Sequence, residues 1–578
     1  MDISGKKETR TEDGGDSFLE LLAAYGIDCL FYNPGSDYYP VLEHLSQFQV
    51  EARERPKQIM CLTENAALSM AHGYSMKSGR VQAVMVHVGL GTMETGGSLH
   101  NIWRGREPLL LIAGRAPYTF ENELPGGRDR PYQWDQEIYD QLGIARQFSK
   151  WTYELKTNSN LHHVIARAIQ VANTDPKGPV YLVLPRELLA EKQDKVKILP
   201  VTRFGPPEPT SVGRNVLEQI SEILLNSQSP VILTEYLGRD PAAVAQLVLL
   251  AEFLGAPVIE PQRKRMNFPA DHHLYLPGFP RAALESADAI LLLDIDVPWI
   301  PAATKLRSDA KIVHIDVDPT KGGFPLWGFP VDISVSGSTA QVLPDLLQIL
   351  KTKRSREHRF QREERTEKIS ALGTKIRADL KSAAAPQTGT MKVESLLSLI
   401  NELRTPDTIV MSQGVSNDPL VSSYIQPTVP GTFFASGGSS LGDGLGNTLG
   451  LKLASPSNDV MCVISDGSFV YSNPVSVLWA SRKYQLPILT VIIDNGGYKA
   501  MKASVQRSFP QGFSKKHNVF AGVSMDPQPD FVGVAKACGA QGRVANNLQD
   551  LTDAMKQGLK ETKDNKNSFV IDAVVECV

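Results

Sequence analysis

Cysteine is scarce in this chain: Cys29, Cys61, Cys462, Cys538 and Cys577 are five among 578 residues, an odd and scattered set without a CxxC pair. That pattern excludes a disulfide framework and the common zinc sites, and it points to a reducing compartment. An excess of one charge is also lacking, since 60 Lys and Arg face 63 Asp and Glu for a formal net charge of −3. Such a balance leaves no electrostatic footprint for nucleic acid or an anionic membrane. No apolar run reaches the roughly 18 residues of a membrane-spanning helix. The first sixteen residues mix Lys, Arg, Glu and Asp without an apolar stretch, unlike a signal peptide or an acid-poor transit peptide. The expected location is cytoplasmic, with no nucleic acid and no membrane as partner. A GxGxxG loop is missing too, because the glycine-rich stretch 435–446, which opens a helix, does not satisfy that spacing.

What is present is a long chain with 42% hydrophobic and 21% charged residues, ordinary for a soluble globular protein. It is too long for one core and fits about three domains of roughly 150–200 residues. Apolar runs at 28–32, 81–86, 109–112 and 180–184 alternate with helical stretches, and a second series follows at 231–234, 289–293 and 311–316. Alternation of this kind predicts parallel sheets covered by helices on both faces. Residues 200–209, rich in Pro and Gly, read as a linker, and the charged block 351–381 reads as a solvated helix and a second connection. The expected fold is α/β with three doubly wound parallel-sheet domains. The expected boundaries are a polar tail at 1–16, domains at 17–195 and 210–350, a charged connecting segment at 351–386, and a third domain at 387–578.

The most informative residues are Ser465-Asp466-Gly467 and, one strand-helix-strand unit later, Asp494-Asn495-Gly496-Gly497-Tyr498. Asp466 and Asn495 each follow a strand-like apolar run. Side chains at the carboxyl ends of neighbouring parallel strands converge where open α/β sheets bind ligands, and one carboxylate with carbonyl oxygens suits Mg²⁺ bound to a diphosphate. The pattern resembles the thiamin diphosphate (ThDP) motif, Gly-Asp-Gly followed by Asn-Asn. Ser465 and Asp494 depart from it without removing a ligand, although Asp494 adds a second carboxylate near the diphosphate. The resemblance implies Mg²⁺ held by Asp466, Asn495 and the carbonyl of Gly497.

The three-domain layout is similar to that of ThDP enzymes of the acetolactate synthase, pyruvate decarboxylase and benzoylformate decarboxylase superfamily, with pyrimidine-binding, central and diphosphate-binding domains. That resemblance, extended to segment 62–74, implies that Glu64 hydrogen-bonds the aminopyrimidine; alone, Glu64 would read as a first-turn carboxylate behind an N-cap Thr63. It further implies Leu441 as the apolar support of the V-shaped cofactor, and Gly414, Ser416, Gly467, Ser468 and Tyr498 as cofactor contacts. Backbone N–H groups near a helix N-terminus suit phosphate.

Asn33-Pro34-Gly35-Ser36 and Val86-His87 resemble the benzoylformate decarboxylase branch, which makes Gly35 and Ser36 substrate residues and His87 a catalytic proton donor and acceptor. A lone strand-end histidine is more commonly held by backbone. Ala500 and Met501 are further substrate candidates, and either Gln133 or Gln136 faces the cofactor. The branch's second histidine has no counterpart near Ala287-Asp288, and the stretch 89–97 differs from its usual pattern, so the substrate is expected not to be benzoylformate. The expected function is ThDP- and Mg²⁺-dependent decarboxylation of a 2-oxo acid, or making or breaking an acyloin bond, acetolactate synthase-like. The expected assembly is a homodimer or homotetramer with sites between subunits. The alternatives are a catalytically silent ThDP-binding regulator and an FAD- or nucleotide-dependent oxidoreductase; FAD is disfavoured because Leu237-Gly238-Arg239-Asp240 is a poor dinucleotide loop.

Overall fold

The computed structural model describes residues 7–53, 55–208, 211–387, 389–414 and 416–576. The first sheet has six parallel strands in the spatial order Lys57–Met60, Cys29–Tyr32, Gln82–Val86, Leu109–Arg115, Pro179–Pro185, Trp151–Glu154. Its four inner strands are mostly apolar on both faces, as parallel strands covered on two sides must be. Leu30, Met85, Ile112 and Leu182 enter one core, while their neighbours Phe31, Val84, Leu111 and Val183 enter another.

The central sheet orders five parallel strands as Val258–Ile259, Pro230–Thr234, Ala289–Leu293, Lys311–Asp316, Ile333–Ser336. The third orders six as Phe433–Ala435, Ile409–Gln413, Val460–Ser465, Leu489–Asp494, Phe569–Val574, Gln541–Ala545. Three doubly wound parallel-sheet domains are therefore present, as the strand-helix alternation predicts.

The third sheet is held between the other two domains. Met411, Cys462, Ile464 and Ile492 share the core of the first domain, whereas Val410, Met461, Val463 and Val491 share that of the central domain. Helix Glu64–Ser78 lies along helix Gly444–Ala454, and three glycines allow it. A Cβ on Gly73, Gly446 or Gly450 would lie 2.0 Å from Asn447 O, Ser69 Oγ or Met70 O respectively. The Glu64 helix starts where the extended Thr63 accepts a hydrogen bond from the Ala66 N–H and stops at Gly79, which is left-handed at φ +67°.

One boundary, and the role of one segment, differ from expectation. The segment 1–16 is not simply a polar tail: Lys7–Arg10 pairs antiparallel with Lys195–Ile198, and helix Gly14–Ala24 begins behind an Asp13 N-cap. The pairing is far apart in sequence and its first strand is polar, so periodicity carries no trace of it. Residues 1–6 lie outside the described residues, as do 209–210 of the linker and Cys577. The charged block does form a helix, Arg356–Ala383, but it also anchors the central domain. Arg365 donates to the Ser227 and Leu254 carbonyls, and Arg377 donates to those of Ala270, His272 and Tyr275. No helix among the described residues is long and apolar enough to cross a membrane.

Candidate active site

Strand Val460–Ser465 delivers Asp466 to the first turn of helix Asp466–Tyr471, and the neighbouring strand Leu489–Asp494 delivers Asn495 just past its end. Asp466 Oδ1 accepts the Gly467 N–H at 2.7 Å, and its Oδ2 reaches across to the Gly497 N–H at 3.0 Å. The two ends of the motif therefore converge. Gly497 has φ +156°, and a Cβ there would strike Val523 O at 2.1 Å. The Tyr498 N–H donates to Val523 O at 2.8 Å, and its ring lies beside Gly467.

Asn495 is buried, and its Oδ1 has no hydrogen-bond partner. An orphaned buried carbonyl oxygen is costly, and a hard cation would satisfy it. Burial pushes the Asp466 carboxyl up to about 6, against its backbone hydrogen bonds and with help from the charge of Asp494. Among the described residues no cluster of three or more His, Cys, Asp or Glu side chains is placed to hold a metal. The fit rests instead on one carboxylate, one carboxamide and backbone oxygen, which is a Mg²⁺-with-diphosphate donor set rather than an all-protein cage.

Asp494 turns to other partners. Its Oδ1 accepts from the Gly496 N–H at 3.0 Å and from Gln528 Nε2 at 2.6 Å. It also bears on Asp572, whose carboxyl burial pushes up to about 7 with the Asp494 charge and hydrogen bond adding to the effect.

The expected phosphate donors divide. The Gly414 N–H is already taken by Asp418 Oδ1 at 3.1 Å, and the Gly467 N–H by Asp466, so neither is free as drawn from sequence. Ser468 is buried and its Oγ meets Ser465 Oγ at 2.8 Å. Ser416 is half-buried before helix Asp418–Tyr424.

Gln413, one residue before Gly414, organises the next loop. Its Oε1 accepts from the N–H groups of Gly442 and Gly444, and its Nε2 donates to Ser440 O and Asp443. Half-buried Leu441 is thereby presented to a cavity of about 320 Å³ that Gln413, Gly414, Lys264 and Ser440 also line. Gly442, at φ +103°, fits because a Cβ would stand 2.5 Å from Tyr471 O.

The first domain supplies a second group of residues. Glu64 packs against Gly91, where a Cβ would fall 2.7 Å from Glu64 Oε1. His87 follows strand Gln82–Val86, and its Nδ1 lies 2.5 Å from Asp37 Oδ1. Exposed Ser36 meets the Tyr132 hydroxyl at 3.3 Å. Gly35 is needed for packing, since a Cβ would stand 2.3 Å from Asp37 Oδ1 and 2.7 Å from His87 Nδ1.

Gln136 is the glutamine that stands against the His87 ring. Gln133 instead holds the turn at Asp129 and Arg130. Asp37 was not singled out from sequence, and only its place next to Ser36 could have flagged it. Ala500 and Met501 lie on helix Lys499–Ser508 with Met501 exposed. Among the described residues no hydrogen bond or ion pair joins them to Gly35, Ser36 or His87.

Both groups of residues are linked within one chain. Asn65, next to Glu64, donates to Gly442 O at 3.1 Å, and Asn101 donates to Ser440 O at 2.8 Å. In the central domain, carboxylates at or past the strand ends are paired with buried cations. Arg106 of the first domain reaches Asp296 at 2.5 Å and Asp316 at 2.7 Å, and buried Lys321 joins the same carboxylates. The Gly238 N–H donates to Asn267 Oδ1 at 2.9 Å, and a Cβ on that glycine would strike Met266 O.

Comparison with known proteins is in accord with this geometry. The N-terminal TPP binding domain of thiamine pyrophosphate enzymes matches residues 12–144, the central domain 217–346 and the C-terminal TPP binding domain 416–573. Benzoylformate decarboxylase of Pseudomonas aeruginosa is 26% identical over 93% of this chain and 95% of its own length. The large subunit of acetolactate synthase isozyme 3 of Escherichia coli is 24% identical over 96% of this chain and 94% of its own. The structure of a thiamine diphosphate-dependent 4-hydroxybenzoylformate decarboxylase from Rhodococcus jostii superposes with a TM-score of 0.78 at 23% identity, covering 98% and 99% of the two chains.

Proposed function

The chain belongs to the thiamine pyrophosphate enzyme family, and we propose that it is a ThDP- and Mg²⁺-dependent lyase that converts the anion of a 2-oxo acid and a proton to an aldehyde and carbon dioxide. The observation that carries this reading is His87, whose Nδ1 is hydrogen-bonded to Asp37 and whose ring feels the charge of Glu64. The aldehyde carbon carries a hydrogen where the parent 2-oxo acid anion carried its carboxylate, so the site must deliver a proton, and a positioned imidazole is the usual donor. ThDP supplies the electron sink for the carbon that loses carbon dioxide.

Asp466, Asn495 and the Gly497 carbonyl would hold Mg²⁺, with Ser416 and Ser468 as polar contacts for the diphosphate. Leu441 would support the cofactor, and Glu64 would hydrogen-bond its pyrimidine. Ser36 with Tyr132 receives the substrate carboxylate, and Ala500 and Met501 bound the substrate's other end.

The working unit in this reading is a homodimer, or a pair of them, with each site completed by a neighbouring copy. Support comes from apolar side chains left bare around both groups of site residues. Phe120, Tyr132, Trp134 and Tyr139 are exposed on the first domain, and Val470, Tyr471 and Val475 on the third. A bare apolar surface of this kind marks an interaction face. The cytoplasm is the proposed location.

The test is reconstitution of cofactor-free protein with ThDP and Mg²⁺, followed by product analysis over a panel of 2-oxo acids with and without aldehyde acceptors. The expected result is carbon dioxide and free aldehyde without an acceptor. Acyloin formed only when an acceptor is present would replace this reading with that of a carboligase, and no turnover of any 2-oxo acid would sink both.

A further inference from the structure

Asp37 is the second residue of the turn that carries Ser36, and it is 3% exposed. Its two oxygens hold two different parts of the site. Oδ1 lies 2.5 Å from His87 Nδ1, and Oδ2 accepts the Val88 N–H at 3.0 Å. Val88 has φ +32°, a left-handed conformation that a β-branched residue rarely adopts and that persists only when its surroundings fix it.

Two glycines make room for the carboxylate. A Cβ on Gly114 would fall 2.0 Å from Asp37 Oδ2, and one on Gly35 would fall 2.3 Å from Oδ1. Asp37 enters no other ion pair among the described residues. A carboxylate this buried must be paired, and His87 is the partner the fold provides.

We propose that Asp37 is the positioning residue for His87, fixing the hydrogen on Nδ1 and making Nε2 the atom through which the ring gives a proton to the reacting carbon and regains it from solvent. An ionised carboxylate only accepts hydrogen bonds, so the Nδ1 hydrogen points to Asp37 and cannot be the one transferred. The groups that face the ring act together. Burial lowers the affinity of His87 for a proton, but the Asp37 hydrogen bond and charge, Gln136 and the charge of Glu64 outweigh it and raise the pKa. His87 is thereby kept able to donate near neutral pH. This inference deepens the decarboxylase reading and rests on it for the proton's destination, but not for the Asp37–His87 link itself.

Two measurements separate the two claims. The first is the rate of diethyl pyrocarbonate labelling at His87, followed by peptide mass spectrometry across pH in cofactor-free protein. The reagent attacks the neutral ring. The His87 midpoint should lie above that of His100 in the same sample, whose pKa burial lowers, and it should move to lower pH in Asp37→Asn. A His87 midpoint at or below that of His100 in the unmodified protein would overturn the proposal even if the variant failed to fold. The second is turnover of a 2-oxo acid by reconstituted Asp37→Asn. Its kcat should fall at least about tenfold, with KM and ThDP affinity unchanged and the pH profile displaced toward acid. Loss of ThDP binding together with kcat would instead assign Asp37 a purely structural role. If the unmodified protein turns over no 2-oxo acid, the labelling result still decides the Asp37–His87 link.

Discussion

Gly450 lies so close to Met70 that a methyl group on the glycine would stand 2.0 Å from the Met70 carbonyl oxygen. The obstacle is backbone, so no side chain can swing aside. Gly450→Ala should cost about 1–3 kcal/mol through overpacking, which exceeds the gain of up to about 1 kcal/mol from the better helix propensity of alanine. The expected readout is a lower urea midpoint with an unchanged slope. A midpoint equal to that of the unmodified protein would mean that the two helices can move apart freely.

Removing the Asp466 carboxylate should release the cofactor, because the orphaned Asn495 oxygen and the Gly497 loop cannot hold Mg²⁺ without it. For Asp466→Ala, ThDP affinity in the presence of Mg²⁺ should fall at least tenfold, about 1.4 kcal/mol, by titration calorimetry. Asp494→Asn should bind ThDP as well or better, since it removes a charge that raises the pKa of both Asp466 and Asp572. Weaker binding by Asp494→Asn would show that the second carboxylate serves the metal.

His87→Ala should retain ThDP binding if His87 acts on the substrate, as proposed. Its turnover should fall roughly 10²–10⁴-fold, the contribution of a positioned acid-base group. Normal turnover would return His87 to a strand-end histidine without a catalytic role.

If each site needs two copies, inactive Glu64→Gln and inactive Asp466→Ala proteins should recover part of their activity after subunit exchange. The contact of Asn65 with Gly442 in one chain makes this a demanding test. Heterodimers that form but stay inactive would place the whole site within a single chain.

A pH effect on stability is expected far from the active site. His44 Nε2 meets Asp13 at 3.0 Å, and that hydrogen bond, opposed by burial, raises the His44 pKa from 6.5 to about 9. A histidine with a raised folded-state pKa adds stability that is fully present below 6.5 and is lost as pH rises through about 9. The melting-temperature advantage over His44→Ala should therefore shrink steadily between those limits. An advantage that grows with pH would reverse the assignment.

The convergence of Asp466 with the loop after Asn495 was legible in the sequence because its signal is local: an apolar strand, then Asp466 or Asn495, one βαβ unit apart. Lys7–Arg10 was not, since a short polar strand is recognisable only through its partner at Lys195–Ile198. The choice between Gln133 and Gln136 depended on which one the turn at Asp129 uses. The N–H groups of Gly414 and Gly467 looked available because the carboxylates that accept from them are visible only in three dimensions.

One apolar core is built from strands on both sides of the central domain, so the polypeptide closes on itself like a clasp. The route through the central domain is the long way round between two parts that already touch. Cutting the backbone in the exposed stretches 201–208 or 385–387 would nick the chain without parting it, and the fragments would travel together until denaturant opened the core.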